Sequence, residues 1–210
     1  MNIDLDNYID ISMDLNANTL VWKEDKAPEL TPLARQPESP VNFTWLNFGS
    51  HAGTHVDAPY YLFQDKWTSD QIPLSRLMGP CQVLDLTYVE NSIEIGDIKK
   101  LNIRHKKIFL KTKNSFDLLL EFHGKHIVLS VEAAKYLVSI GIETVGYDYQ
   151  TFEQGGSNDV HHVFLKKNVT LLDNLRLADT EAKDYFLICL PIKVTGIDAA
   201  PARALLFEQH

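Results

Sequence analysis

The sequence predicts a single α/β domain in which at least part of the sheet is parallel. Short runs rich in β-branched and aromatic residues alternate with segments that carry helix signals, and this alternation is typical of α/β proteins. A chain of 210 residues is long enough to bury one substantial core. No repeat or shift in composition divides it, so we expect one domain over residues 1–210.

Six segments have the composition of strands: Val41–Phe48, Cys81–Leu86, Lys107–Lys111, Ile127–Leu129, Thr144–Tyr147 and Tyr185–Val194. Before the first of them, Pro28–Pro40 contains four prolines and several charges, and we expect it to form a long ordered loop.

The clearest helix signal covers Val131–Ser139, because Ser130 can cap the first turn and Gly141 supplies a stop. Weaker helix signals cover three other segments: Ile95–Leu101, Phe116–Phe122 and Val160–Lys167.

Composition and charge exclude several kinds of partner. With 20 Lys plus Arg against 28 Asp plus Glu, the formal charge is −8, which gives no basic surface for nucleic acid or anionic lipid. No run approaches the roughly 18 apolar residues of a membrane span, and the acidic N-terminus does not resemble a signal peptide. The two cysteines lie apart in apolar stretches. We expect a cytoplasmic protein with buried thiols that acts on a small molecule.

One short segment concentrates metal-ligand residue types. His51, His55 and Asp57 fall within seven residues. In an extended chain His55 and Asp57 point to the same face, and Gly53 allows a turn that brings His51 to them. Mixed imidazole and carboxylate ligands suit Zn(II), Mn(II) or Fe(II). The alternative is a polar turn in which Asp57 binds backbone amides.

A second polar cluster favours the metal interpretation. His161 and His162 open a short helix, and Asp173 follows the apolar strand Val169–Leu172. A helix start and a strand end can therefore converge on one point. Taken alone, the His pair is typical of a solvated cap and Asp173 of a turn.

The motif His51-x-Gly-Thr-His55-x-Asp57-Ala-Pro resembles the signature of the cyclase-like metal hydrolase family, which includes bacterial kynurenine formamidases and isatin hydrolase. Further matches spread through almost the whole chain: Tyr8–Ser12, Ile108–Thr112, Gly141–Asp148, Leu190–Lys193 and Pro201–Ala204. The resemblance implies a swivelling β/β/α fold, a homodimer, and one or two divalent ions, with Zn favoured over Mn.

The resemblance also implies roles for individual residues. The implied metal ligands are His51, His55, Asp57, His161 and Asp173, and Asp57 is able to bridge two ions. His162 is a neighbour that a one-residue slip would exchange with His161. A metal-activated water would attack a small amide, formamide, lactam or ester.

Three departures from the family pattern affect chemistry. Tyr61 stands where the family has a proton-shuttling His, and as the candidate catalytic residue it is expected either to bind a developing oxyanion or to shape the pocket. Asp173 replaces Glu, which makes a single-ion site plausible. Gln150, Thr151 and Glu153 replace Pro, Ser and Asp on the substrate side. Trp22 and Thr151 are the candidate substrate contacts. Trp22 could stack on a planar aromatic substrate, and the alternative for it is ordinary core packing.

Three functional classes follow. The first is the hydrolase. The second is a metabolite cyclase or dehydratase that uses the ion as a Lewis acid, and the third is a catalytically weak protein that keeps the metal ligands.

Overall fold

The computed structural model describes residues 4–116 and 125–208. The strands in these residues are β1 Tyr8–Asp10, β2 Glu29–Ala34, β3 Phe43–Asn47, β4 His55–Asp57, β5 Met78–Asp85, β6 Ser92–Ile93, β7 Lys107–Lys111, β8 Val128–Leu129, β9 Thr144–Tyr147, β10 Thr170–Asp173, β11 Asp184–Pro191 and β12 Ala199–Phe207. The α-helices are α1 Leu74–Leu77, α2 Ile95–Lys99, α3 Val131–Ser139 and α4 Asp159–Lys166.

Eight strands form one sheet in the order β1-β12-β11-β5-β7-β9-β10-β4. The four central strands, β5, β7, β9 and β10, are parallel to one another. All other strand pairs in this sheet are antiparallel. Strand β4 also pairs with β12, so the sheet closes on itself. The predicted α/β class with a partly parallel sheet is confirmed.

The core lies on both faces of this sheet because successive strand side chains alternate. On β7, Ile108 and Leu110 pack with Ala134 and Leu137 of α3 in one apolar cluster. Phe109, between them, belongs to a second cluster on the opposite face. Strands buried on both faces give the site a rigid support.

The segment Pro28–Pro40 is not the loop that its prolines predicted. Glu29–Ala34 forms β2, which pairs antiparallel with β3 in a separate two-stranded ribbon. Pro32 is tolerated because a two-stranded ribbon has an outer edge that needs no N–H donor. The register shifts between Pro32 and Ala34, immediately after the proline.

Most other element predictions agree with the structure within a few residues. Helix α3 has the predicted bounds, and the Ser130 side chain accepts a hydrogen bond from the Ala133 N–H. Of the predicted helix Phe116–Phe122, residues 117–122 lie outside the described residues, and residue 116 ends a 3-10 turn. Strands β1 and β12 and helix α1 were not predicted. Among the described residues, no helix is long and apolar enough to cross a membrane.

Candidate metal centre

The His-rich segment turns and then extends, as its sequence predicted. Gly53 has a φ of +65°, in the left-handed region that favours glycine. A Cβ at this position would lie 3.4 Å from the Leu15 side chain. After this turn, His55–Asp57 forms the short strand β4, in which His55 and Asp57 share one face.

Two neighbouring strands fix the position of β4. Asp57 pairs with Leu171 on β10 and with Ala199 on β12, whereas His55 pairs with Asp173 and Pro201. The register places Asp173 directly opposite His55. A strand of three residues is thereby held on both edges and fully buried.

The second cluster joins the first, with His161 and not His162 as the participant. His161 is buried in the first half of α4 and faces both carboxylates: its Nε2 lies 3.7 Å from Asp57 Oδ2 and 3.5 Å from Asp173 Oδ2. His162 is exposed, and its ring packs 5.1 Å from that of Phe63. The geometry thus excludes the one-residue slip.

Three imidazole nitrogens converge on the carboxylate of Asp57. His51 Nδ1 lies 3.0 Å and His55 Nε2 lies 3.4 Å from Oδ1, and His161 Nε2 approaches Oδ2 from the other side. With metal bonds of about 2.0–2.2 Å, neighbouring ligand atoms lie roughly 3–3.6 Å apart. The distances of His51 and His55 from Oδ1 therefore match those between ligands around a common ion.

The opposite nitrogen of each imidazole is held by an oxygen. His55 Nδ1 lies 2.8 Å from the Gly53 carbonyl. His161 Nδ1 lies 2.8 Å from Glu153 Oε2, and His51 Nε2 lies 2.8 Å from Asp198 Oδ2. Such outer partners fix ring orientation and tautomer in metal sites.

The charges in the site are strongly coupled. Burial alone would lower the pKa of His51, but Asp57 and Asp198 outweigh it and raise the pKa to about 10. Burial would also lower the pKa of His161, but Asp173 and Glu153 outweigh it and raise the pKa well above its usual value. Burial would raise the pKa of Asp57, yet His51 and His55 hold it well below its usual range. The carboxylate of Asp57 is therefore ionised at neutral pH.

The residues present fit a divalent cation. Asp57 Oδ1 and both carboxylate oxygens of Asp173 are buried, and within the part of the chain that the structure describes they accept no hydrogen bond. Buried carboxylate oxygens in that condition are costly unless a cation neutralises them. Two groups have ligand atoms within 4.8 Å of one another, and Asp57 belongs to both: His51, His55 and Asp57, and Asp57, His161 and Asp173.

The centre opens into a cavity of about 460 Å³. Trp22 and Thr151 line this cavity, where sequence analysis expected substrate contacts. Thr151 also donates a hydrogen bond of 2.9 Å to Glu153 Oε2. The Cζ2 of Trp22 would lie 3.8 Å from a Cβ on Gly156, so the indole stands against that loop.

Tyr61 also lines the cavity, at the end of a 3-10 helix that begins at Pro59. Its ring centroid lies 4.7 Å from that of His51 and 6.2 Å from that of His161. Burial, followed by the charges of Asp57 and Asp198, raises the pKa of Tyr61 to about 12. The phenol therefore keeps its proton at neutral pH and is suited to donate a hydrogen bond.

Sequence reasoning missed the two outer carboxylates. Asp198 lies far along the chain from His51, next to a strand that was not predicted to begin there. Glu153 stands out in the sequence only as a departure from the family pattern, although its place eight residues before His161 is compatible with a cap. Only the closed sheet and the α4 start bring them to the histidines.

Comparisons with known proteins agree with this geometry. The profile of a family described as "Putative cyclase" matches residues 9–154. A kynurenine formamidase of Salinibacter ruber is 32% identical over 203 residues, which cover 94% of this chain and 96% of the relative.

Solved structures share the whole fold. One structure, described as a potential metal-dependent hydrolase with cyclase activity, has a TM-score of 0.86 at 33% identity. The match covers 97% of this chain and 98% of that chain. An isatin hydrolase bound to the product analogue thioisatinate has a TM-score of 0.85 at 20% identity, covering 97% and 92%. At that identity the likeness shows the fold alone. The cyclase-type fold expected from the motif is confirmed.

Proposed function

Because this chain belongs to the putative cyclase family, we propose that it is a metal-dependent hydrolase that cleaves the formamide of a small aromatic amine. It acts on a carbon–nitrogen bond other than a peptide bond, as the names of its formamidase relatives indicate for those proteins. The observation that carries the proposal is the convergence of three imidazole nitrogens on the buried carboxylate of Asp57.

Five side chains would hold the metal: His51, His55, Asp57, His161 and Asp173. Asp57 belongs to both candidate groups, which supports a bridging role if two ions bind. The donor set favours Zn(II), with Mn(II) as the alternative, because imidazole nitrogen is a poor ligand for Ca(II) or Mg(II).

When bound, the cation polarises the substrate carbonyl and lowers the pKa of a water from 15.7 toward about 7. Asp173 is placed to receive a proton from the attacking water, since burial raises its pKa above that of an ordinary carboxyl. A C–O bond forms, the C–N bond breaks, and the proton passes to the leaving nitrogen. The products are formate and the free amine.

Tyr61 is the proposed oxyanion donor. Its raised pKa makes it a poor base at neutral pH, but a protonated phenol at the cavity wall can bind the developing negative charge on the carbonyl oxygen. This separates it from the proton-shuttling His of the family pattern.

Trp22 and Thr151 are the proposed substrate contacts. The indole offers a flat face to an aromatic amine, and Thr151 lies on the same cavity. The Thr151 hydroxyl donates to Glu153 Oε2 and accepts from the Glu153 N–H at 3.3 Å, so one lone pair is left to accept from the substrate.

We also propose a cytoplasmic homodimer. The β2–β3 ribbon exposes apolar side chains on a two-stranded element, which is marginally stable alone. Its exposed residues include Leu33 at 57%, Phe43 at 53% and Trp45 at 58%, and a second copy would cover them. The free buried thiols Cys81 and Cys189 suit a reducing compartment.

The test is metal content by elemental mass spectrometry, together with formanilide hydrolysis by the same samples. We expect about one or two equivalents of Zn or Mn in the wild type and loss of metal and activity in His161→Ala. His162→Ala is the matched control, because His162 lies on the same helix but packs outside the site against Phe63. Wild-type protein that cannot be loaded with Zn or Mn would contradict the proposal.

A further inference from the structure

Asp198 has a fixed place in the closed sheet, immediately before β12. Its carbonyl accepts a hydrogen bond from the Ala58 N–H at 2.9 Å, and the carbonyl of Ile197 accepts one from the Ser69 N–H at 2.9 Å. The backbone around Asp198 is thereby tied to the end of the metal motif and to the segment that follows it. Its side chain reaches the cavity wall.

The carboxylate of Asp198 lies behind the imidazole of His51. Its Oδ2 is 2.8 Å from His51 Nε2, and its Oδ1 accepts a hydrogen bond of 3.1 Å from the Ser50 hydroxyl. An ionised carboxylate only accepts hydrogen bonds, so Nε2 must carry the ring proton. In the neutral ring, the lone pair is then on Nδ1.

That lone pair points at a second electron-rich atom. His51 Nδ1 lies 3.0 Å from Asp57 Oδ1, and Asp57 Oδ1 accepts no hydrogen bond within the described residues. Two such atoms approach this closely only when a cation, a proton or a metal ion, is shared between them. Asp198 itself belongs to neither candidate ligand group.

We propose that Asp198 is a positioning residue, which holds His51 in the tautomer and orientation that present Nδ1 to the metal. This inference rests on the proposed function, because it requires His51 to bind metal. His51 needs such a partner more than the other histidines do. Its side chain is 25% exposed, against 2% for His55 and 5% for His161, so packing restrains it less.

The test compares zinc affinity, measured by competition with a chelator, in Asp198→Ala and Asp25→Ala. Asp25 lies on the same cavity, so its variant removes the same charge without removing the partner of His51. We expect zinc binding to weaken about 10–100-fold in Asp198→Ala, the usual cost of losing an outer partner of a metal ligand, and to change little in Asp25→Ala. If the alanine variant does not fold, Asp198→Asn takes its place with the same expected direction.

A second readout follows the imidazole itself. Two-bond ¹⁵N–¹H spectra of the zinc-loaded protein should show His51 protonated on Nε2, and the Asp198 variant should show mixed tautomers. Unchanged zinc affinity and an unchanged His51 pattern in the variant would overturn the inference while leaving the proposed function intact. A wild type that binds no zinc would overturn both.

Discussion

Glu153 accepts hydrogen bonds from two groups of His161, the ring Nδ1 at 2.8 Å and the peptide N–H at 2.9 Å. The same carboxylate accepts a bond of 2.8 Å from the Val160 N–H. One side chain therefore orients the imidazole and satisfies the first turn of α4, which leaves His161 Nε2 directed at Asp57 and Asp173.

Glu153→Gln should weaken both metal binding and the fold, because an amide has one acceptor oxygen where the carboxylate has two. We expect zinc affinity to fall about 10–100-fold. Urea denaturation of the metal-free protein should show a loss of about 1–3 kcal/mol, since buried donors lose their partner. Glu132→Gln, at the exposed start of α3, is the control. Equal behaviour of the two variants would show that Glu153 does not anchor His161.

Substitutions at Asp57 and Asp173 should differ in the number of ions lost. Asp57 belongs to both candidate ligand groups, whereas Asp173 belongs to one. If two ions bind, Asp57→Asn should lose both, and Asp173→Asn should retain the ion held by His51, His55 and Asp57. Elemental analysis per protein chain measures this. Retention of all metal by Asp57→Asn would exclude the bridging role.

Tyr61→Phe should reduce kcat for formanilide by about 10²–10³-fold, the usual cost of removing one oxyanion donor. The KM should change little, and the pH profile of the remaining activity should keep its shape, because the pKa of Tyr61 near 12 lies above the assay range. The measurement is steady-state kinetics between about pH 6 and 9, a range that includes the ordinary pKa of histidine. Full activity in Tyr61→Phe would exclude the oxyanion role and would show that Tyr61 only shapes the pocket.

Metal binding should release protons and strengthen as the pH rises. The pKa of His51 is about 10 in the metal-free protein, above its unfolded value, so its ring is protonated at pH 7 and must lose a proton to bind metal. Affinity should therefore increase by about tenfold per pH unit for each proton released, until the pH approaches that pKa. Calorimetry in buffers of different ionisation enthalpy counts the protons. Affinity independent of pH would contradict the coupling between His51 and the carboxylates.

The ribbon residues Phe43 and Trp45 should control the oligomeric state. Both side chains are more than half exposed, so replacing each with Asp costs little in a monomer but disrupts a covered apolar contact. Light scattering after size-exclusion chromatography should show a dimer for the wild type and a monomer for the double variant. An exposed apolar site away from the ribbon, Leu74→Asp, serves as the control. A wild-type monomer would refute the dimer.

The sequence predicted local structure better than it predicted long-range pairing. Helix α3 could be placed because its cap and stop lie within the segment itself. Strand β12 was missed because Ala199–Phe207 contains four alanines and a proline, a composition that hides its strand character. His51, His55 and Asp57 could be proposed as ligands from residue type and spacing, whereas His161 and Asp173 were proposed through the family resemblance. The structure brings all five together. The role of Asp198 could not be predicted, because its partner His51 lies 147 residues away in the sequence and no local pattern connects them.

The closure of the sheet has a consequence for biosynthesis. Strand β4, which contains the motif, is pinned between β10 and β12, and its partners on β12 are residues 199–201. Contacts so distant along the chain form late, because the loop between them must close first. On the ribosome, the histidines and Asp57 emerge long before the strand that holds them in place. A nascent chain therefore lacks the β12 neighbour of the motif until residues 199–201 have been added, more than 140 residues after His55 and Asp57.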